Sequence, residues 1–245
     1  MEDHISLNTW DALNRLKSQT NTEGTVSDFR YDSVGNVVAT VDAEGTADQR
    51  TALVRYDALG RVTAQLSARG AALITGNETP AQLDAIWAQY ATQYSYDAAG
   101  RRVSATDPNG NRTLFYYDQD GRLRYTVNAE GEVQERQYDA FGNLASTMAY
   151  GARIDSNTLT NLQGGVLSSD AQSLQAEQAF AAAKQSGGGL NSITQYTYNA
   201  VNELIATTDA NGGVTTVAYD TFGDVVSSTQ SIGGSNSVTT TRSYD

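Results

Sequence analysis

At 245 residues, 39 % of them hydrophobic, the chain has room for one or two domains, and its net charge of −12 excludes a phosphate-binding surface built from clustered cations. The 14 arginines and 2 lysines are scattered, so no nucleic-acid partner is expected. The absence of cysteine rules out a disulfide framework and thiol chemistry, and no apolar run is long enough to span a membrane.

The chain opens on Met1-Glu2-Asp3-His4, which has neither the basic nor the apolar region of a signal peptide. A turn motif then begins in degenerate form at Trp10 (WDALNRL) and becomes regular at Tyr31, Asp32 and Gly35 and again at Tyr56, Asp57 and Gly60. Copies follow at Tyr96, Asp97 and Gly100, at Tyr117, Asp118 and Gly121, and at Tyr138, Asp139 and Gly142, these three starting 21 residues apart. Tyr198 (YNAVNEL) begins a second degenerate copy, Tyr219, Asp220 and Gly223 form another regular one, and Tyr244-Asp245 starts one that the chain does not finish. Periods of this length mark repeat architectures.

Each repeat has a second beat, Asp or Asn followed three residues later by Gly, at Asn21/Gly24, Asp42/Gly45, Asp107/Gly110, Asn128/Gly131 and Asp209/Gly212. Asp and Asn begin turns because their side chains reach backbone amides two residues on, and Gly takes positive φ without a Cβ clash. Asp107-Pro108-Asn109-Gly110 is read as one of these turns. Two turns separated by segments of strand length describe a β-hairpin repeated as a meander. After the first turn, Val37/Ala39/Val41, Leu123/Tyr125/Val127 and Leu144/Ser146/Met148 alternate with more polar neighbours, as a sheet with unlike faces requires. Arg102 departs from that alternation, so a local bulge or slip is expected there.

Two insertions interrupt the rhythm. The step from Tyr56 to Tyr96 is 40 residues and holds, over residues 73–93, a helix with Thr79 as N-cap, Pro80 at its first position and an apolar face of Leu83, Ile86, Trp87 and Tyr90. That face either packs over the sheet or receives a partner. The step from Tyr138 to Tyr198 is 60 residues and, over residues 152–190, holds a helix starting at Ser169-Asp170-Ala171-Gln172, rich in Ala to Lys184 and stopped by Gly187-Gly188-Gly189. Its apolar face is expected to rest on Leu174 and Phe180, with a short turn at Leu159 and Leu162 before it. The insertions are where specificity peculiar to this chain is expected.

Catalytic constellations are sparse. The sole histidine, His4, lies beside a terminus, so neither a Ser-His-Asp triad nor a histidine-rich metal site is expected. Carboxylates are abundant, but most belong to the periodic turns, whereas a catalytic pair would be singular. Calcium at the Asp/Gly turns is weighed and set aside, because no EF-hand loop or nonapeptide array is present. No catalytic, cofactor-binding or metal residue is assigned. The arginines after the turn glycines, Arg61, Arg101 and Arg122, could align as a ladder, either as an anion or partner stripe or paired with neighbouring carboxylates. The recurring tyrosines read as cross-strand packing or as a stacking surface for carbohydrate.

The motif Y-D-x-x-G-[RN]-[LV], at Tyr31, Tyr56, Tyr117 and Tyr138, resembles the YD-repeat family, which includes bacterial Rhs (rearrangement hotspot) proteins, shell components of insecticidal toxin complexes and the teneurins. The resemblance covers roughly residues 8–150 and 193–245 and lacks the DPxG-type segment that precedes the toxin tail in those proteins. It implies an all-β fold with minor helical insertions, in which repeated antiparallel β-hairpins of period about 21 form a curved sheet or part of a β-shell. Residues 1–245 are then a single array and an excerpt of a larger exported protein, secreted or at the cell surface. The function implied is structural and non-catalytic: a β-shell wall that encloses the remainder of the same polypeptide or a toxin domain. The alternative is an extracellular adhesion or carbohydrate-binding module.

Overall fold

The computed structural model describes residues 6–231 and 236–244, so His4 and Asp245 lie outside the described residues. The chain divides into two compact units, Met1–Arg112 and Thr113–Asp245.

In the first unit, β1 (Leu7–Trp10), β2 (Leu16–Thr20), β3 (Val26–Tyr31), β4 (Val37–Asp42), β5 (Arg50–Tyr56) and β6 (Val62–Leu66) precede two helices, α1 (Ala68–Ala71) and α2 (Pro80–Tyr90). β7 (Ala91–Tyr96) and β8 (Arg102–Thr106) complete it. Each strand pairs antiparallel with the next, which is the meander that the two-turn repeat predicts. Thr79 caps α2 through its side chain, Gln82 returns the bond to complete a capping box, and Pro80 stands in the first turn. Trp87 enters a core of Ala64, Leu66, Ala71 and Ala91, and Ile86 and Tyr90 pack against it, while Leu83 is half-exposed.

In the second unit, β9 (Arg112–Tyr117), β10 (Leu123–Val127), β11 (Val133–Tyr138) and β12 (Leu144–Ala149) are followed by α3 (Ser156–Asn161), β13 (Gly165–Val166) and α4 (Ala171–Gly187). β14 (Ser192–Tyr198), β15 (Leu204–Thr208), β16 (Val214–Tyr219), β17 (Val225–Ser231) and β18 (Ser237–Thr241) end it. The long strands again pair in sequence, with β12 joining β14 directly, so the insertion leaves the meander uninterrupted. The short β13 instead adds parallel to β9.

α4 covers one face of this sheet. Its N-cap is Asp170, which accepts from the Ser173 amide, and its buried stripe is Ser173, Ala176, Phe180, Ala183 and Gly187. Phe180 is 1 % exposed and lies between Tyr125, stacked at 4.3 Å, and Tyr116, edge-on at 5.1 Å. Leu174, expected on this face, is 48 % exposed. Alanines and Gly187 let the helix settle close to the sheet, and the stripe they define leaves Leu174 on the solvent side. Leu162 is fully buried beside Ile154, just after α3, whose N-cap is Asp155. Ile154 also donates to the Gly131 carbonyl, and a Cβ on Gly131 would collide with Ile154 backbone. The insertion is therefore docked against a second-beat turn.

A bulge occurs at Arg102, but it is not peculiar to that copy. The register shifts at Tyr31, Tyr56, Tyr96, Tyr138, Tyr198 and Tyr219 alike, leaving one residue of the outgoing strand without a cross-strand partner. That extra residue is Val38, Thr63, Val103, Ala145, Ile205 or Val226, so Arg102 sits in register with Val62 and Leu144. Bulges bend and further twist a hairpin, and here the device is repeated copy by copy.

Candidate functional site

The YD turn is a closed hydrogen-bonding unit. At Tyr56, the Asp57 Oδ1 accepts from the amides of Leu59 and Arg61, both at 2.9 Å, and its Oδ2 accepts from the Arg61 Nε at 2.7 Å. The Gly60 amide donates to the Asp57 carbonyl at 3.0 Å, with Gly60 at φ +75°. The same bonds recur around Asp11, Asp32, Asp97 and Asp139, with Asn36 and Asn143 supplying an amide where others supply arginine. Around Asp118, Arg122 makes the corresponding two bonds. In the degenerate copies Asn14 and Asn202 take the glycine position at φ 60° and 64°, a conformation asparagine tolerates better than most residues. Asn199 likewise replaces the turn aspartate and still accepts both amides.

The arginine ladder is absorbed by these turns. Arg61, Arg101 and Arg122 each pair with the aspartate four residues earlier, at 2.7 Å. Arg15, Arg61 and Arg122 also lie over the tyrosine of the following copy, Tyr31, Tyr96 and Tyr138, at 4.3, 4.9 and 5.0 Å from the ring centres. The tyrosines reach backward in turn. The phenols of Tyr31, Tyr56, Tyr96, Tyr138, Tyr198, Tyr219 and Tyr244 donate to the carbonyls of Leu16, Val37, Val62, Leu123, Leu144, Leu204 and Val225. Every such acceptor opens the outgoing strand of the preceding copy, so consecutive repeats are latched to one another.

The carboxyl groups respond accordingly. At Asp57 the Arg61 amide and guanidinium hold the carboxyl below its ordinary value, and at Asp32 the Asn36 side chain does the same. At Asp97 and Asp118 burial pushes upward most strongly, but the bonds from Arg101 and Arg122 together outweigh it. Carboxylates held ionised by their own turns are poor general acids.

The second-beat turns repeat this geometry at Asn21, Asp107, Asn128 and Asp209, including the Asp107-Pro108-Asn109-Gly110 turn. Asp42 is the exception. Its carboxylate takes the Ser27 hydroxyl instead, Ala43 adopts φ 53°, and the loop runs on to Gln49. The two kinds of turn differ in chemistry as well. Six of the eight YD-turn tips, Leu13, Val34, Leu59, Phe141, Val201 and Phe222, are large, apolar and exposed, Ala99 and Asp120 being the others, whereas Glu23, Glu44, Asn109, Glu130 and Asn211 tip the second-beat turns.

One buried ionic group stands apart from the repeats. Glu135, on β11, is 2 % exposed. It accepts from Lys184 of α4 at 2.8 Å, Tyr150 at 2.8 Å, Gln137 at 2.9 Å and Arg124 at 3.1 Å. Burial alone would raise its carboxyl, but the bonds from Lys184, Gln137 and Tyr150 hold it below the ordinary range. Burial, then the bond to Glu135, push the Tyr150 phenol far upward. With its oxygens fully engaged, Glu135 anchors the inserted helix to the sheet. The available signal was a glutamate at a strand position whose neighbour two residues earlier, Val133, is core. Among the described residues no cluster of three or more His, Asp or Glu could hold a metal ion, and no helix is long and apolar enough to cross a membrane.

These features define a class: a hairpin array whose turns and aromatics serve to bind each repeat to its neighbour. The RHS repeat family matches residues 10–47, 88–112 and 198–235, so those three stretches carry RHS repeats. The copies at Tyr56, Tyr117 and Tyr138 fall outside those stretches, yet build the same turn. No curated protein matches the chain. Among solved structures, the chain is similar to TcdB2-TccC3, with 18 % identity and a TM-score of 0.40, covering 95 % of this chain and 15 % of that one. It is also similar to TcdB2-TccC3-Cdc42 at 15 % identity and a TM-score of 0.38, covering 95 % and 14 %. The Tc holotoxin pore of Photorhabdus luminescens, carrying the TccC3 substitution D651A, gives 15 % identity and a TM-score of 0.36, with coverage of 95 % and 14 %. The chain spans about one seventh of the length of these structures.

Proposed function

We propose that this chain is a section of a β-shell wall that shields a polypeptide cargo, such as a toxin domain of the same exported polypeptide, and performs no catalysis itself. The observation that carries the reading is the latching of repeats. Tyrosine, aspartate and arginine, the residues best suited to chemistry, are consumed in holding each hairpin to the one before it. A wall needs such side-to-side continuity, whereas a catalytic or sugar-binding surface needs unspent groups. The RHS repeats support the same reading, since shells are what the YD-repeat resemblance implies.

The test is protease protection in the parent polypeptide. A shielded cargo should resist trypsin in the native protein and be digested once the hairpin array is opened by denaturant. Equal digestion rates before and after opening would overturn the proposal. A glycan array that showed saturable binding, lost on substituting one exposed tyrosine, would instead favour an adhesion module.

A further inference from the structure

Repetition lets the molecule serve as its own comparison. In two of the copies ending in arginine, the guanidinium sits in the same place. Arg61 pairs with Asp57, stacks over Tyr96 at 4.9 Å and donates through Nη1 to the Asp97 carbonyl at 3.1 Å. Arg15 does the same with Asp11, Tyr31 and the Asp32 carbonyl. Each site therefore comprises a carboxylate, an aromatic face and a turn carbonyl, and in each case the chain supplies the cation.

At Tyr56 the chain supplies none. The residue homologous to Arg15 and Arg61 is Asn36, too short to reach the Tyr56 ring, and its amide is spent on the Asp32 carboxylate at 2.9 Å. Over the ring an open cleft of ≈ 650 Å³ remains, lined by Asp32, Val34, Asn36, Tyr56, Asp57 and Gly60 among others. Arg55 also lines it, but its guanidinium is committed to Asp84 at 3.1 Å and to the Trp87 ring at 4.3 Å. Among the described residues no lysine or arginine forms an ion pair with Asp32.

Beside Tyr198 the same gap is closed. Asn143 is equally short, but its amide continues to the Asn202 Oδ1 at 2.8 Å, bridging to the next turn. The residue homologous to Asn202 is Gly60, whose missing side chain leaves the space beside Asn36 open; a Cβ there would meet only the Asn36 Oδ1, at 3.8 Å. The cleft thus requires both Asn36 and Gly60, and this copy has both.

We propose that the cleft over Tyr56 is a guanidinium-binding subsite, taking an arginine side chain or an equivalent planar cation from outside the repeat. The cation stacks on the Tyr56 ring and donates to the Asp57 carbonyl and the Asp32 carboxylate, the three partners that Arg15 and Arg61 use in their own copies. A planar fork satisfies an aromatic face and two oxygens at once, which a lysine ammonium does less well. Burial first, and then the Asp32 charge, raise the Tyr56 phenol, so the uncompensated carboxylate is felt at the ring.

The experiment follows tyrosine ring signals by NMR in the intact chain while methylguanidinium, acetylarginine amide and an arginine-containing tripeptide are added separately. The Tyr56 ring should shift saturably, while Tyr31 and Tyr96, already covered by Arg15 and Arg61, stay in place. Asp32→Asn keeps the turn, since Asn199 serves in that role, and should weaken binding about tenfold through loss of a charged acceptor. Asn36→Arg should abolish it by filling the cleft from within. Tighter binding of the tripeptide than of methylguanidinium identifies a polypeptide arginine as the natural occupant, and equal binding identifies a small solute; both support the subsite. No saturable shift at Tyr56 with any probe, equal shifts at Tyr31 and Tyr96, or undiminished binding in Asn36→Arg would overturn it.

Discussion

The phenols of seven repeat tyrosines each donate to the carbonyl opening the preceding copy's outgoing strand, and this makes the contribution of a single atom measurable. Tyr138→Phe removes the 2.9 Å bond to the Leu123 carbonyl and leaves the ring beneath Arg122. The expected loss is about 1 kcal/mol, the net worth of a neutral hydrogen bond, read from urea unfolding. Phe141, three residues on, projects from its turn tip, so Phe141→Ser should change stability by less than about 0.5 kcal/mol in the same assay. If the two variants were equally destabilised, the latch would not be the source of the tyrosine's importance.

The inserted helix α4 is held by an aromatic plug and by one buried carboxylate. Phe180→Ala should cost about 3–5 kcal/mol in the second unit because Tyr116 and Tyr125 cannot collapse into the space, while Leu174→Ala should cost well under 1 kcal/mol. Glu135 has a folded-state value held below its ordinary value of 4.5, so its contribution is present above that value and is lost as pH falls through the lowered one. Hydrogen exchange of α4 amides should therefore accelerate below about pH 4, and Glu135→Gln should flatten that dependence. Both helices were legible in the sequence, because Thr79-Pro80 and Ser169-Asp170 are local signals whose physics is complete within a few residues. The face of α4 was not. Which stripe turns inward depends on where Tyr116 and Tyr125 leave room, and these lie more than fifty residues away in the chain. Glu135 was hidden for the same reason, since its partner Lys184 comes from the insertion and Tyr150 from the segment leading into it.

Across the whole chain the turns act in concert. Asp11, Asp32, Asp57, Asp97, Asp107, Asp118 and Asp139 all have folded values below the ordinary 3.8, and Glu78, which closes the Thr75-Gly76 turn, lies at about 2. Below these unfolded-state values the unfolded chain takes up protons that the folded turns resist, so stability is complete above about pH 4–5 and declines as pH falls further. Acid unfolding followed by circular dichroism should be steep, with protons taken up by many groups together, and stability should be flat from there to neutrality. A maximum near pH 7 with no acid limb would contradict the turn assignments. The repeat itself, its two turns and its alternating strand faces could be read directly, because each turn is closed by bonds among five consecutive residues. The backward latch could not, since a tyrosine does not announce which carbonyl it will meet.

That latch has a genetic consequence. Because seven of the repeat tyrosines find their acceptors one copy earlier, at the residue that opens the outgoing strand, excising or duplicating a bare repeat among these copies leaves each of those phenols with an equivalent carbonyl. Recombination that exchanges complete repeats therefore preserves the latch, provided that the strands beneath the inserted helices are left in place, and recombination that joins copies out of phase breaks it. The chain can change length in whole repeats without having to solve its packing anew.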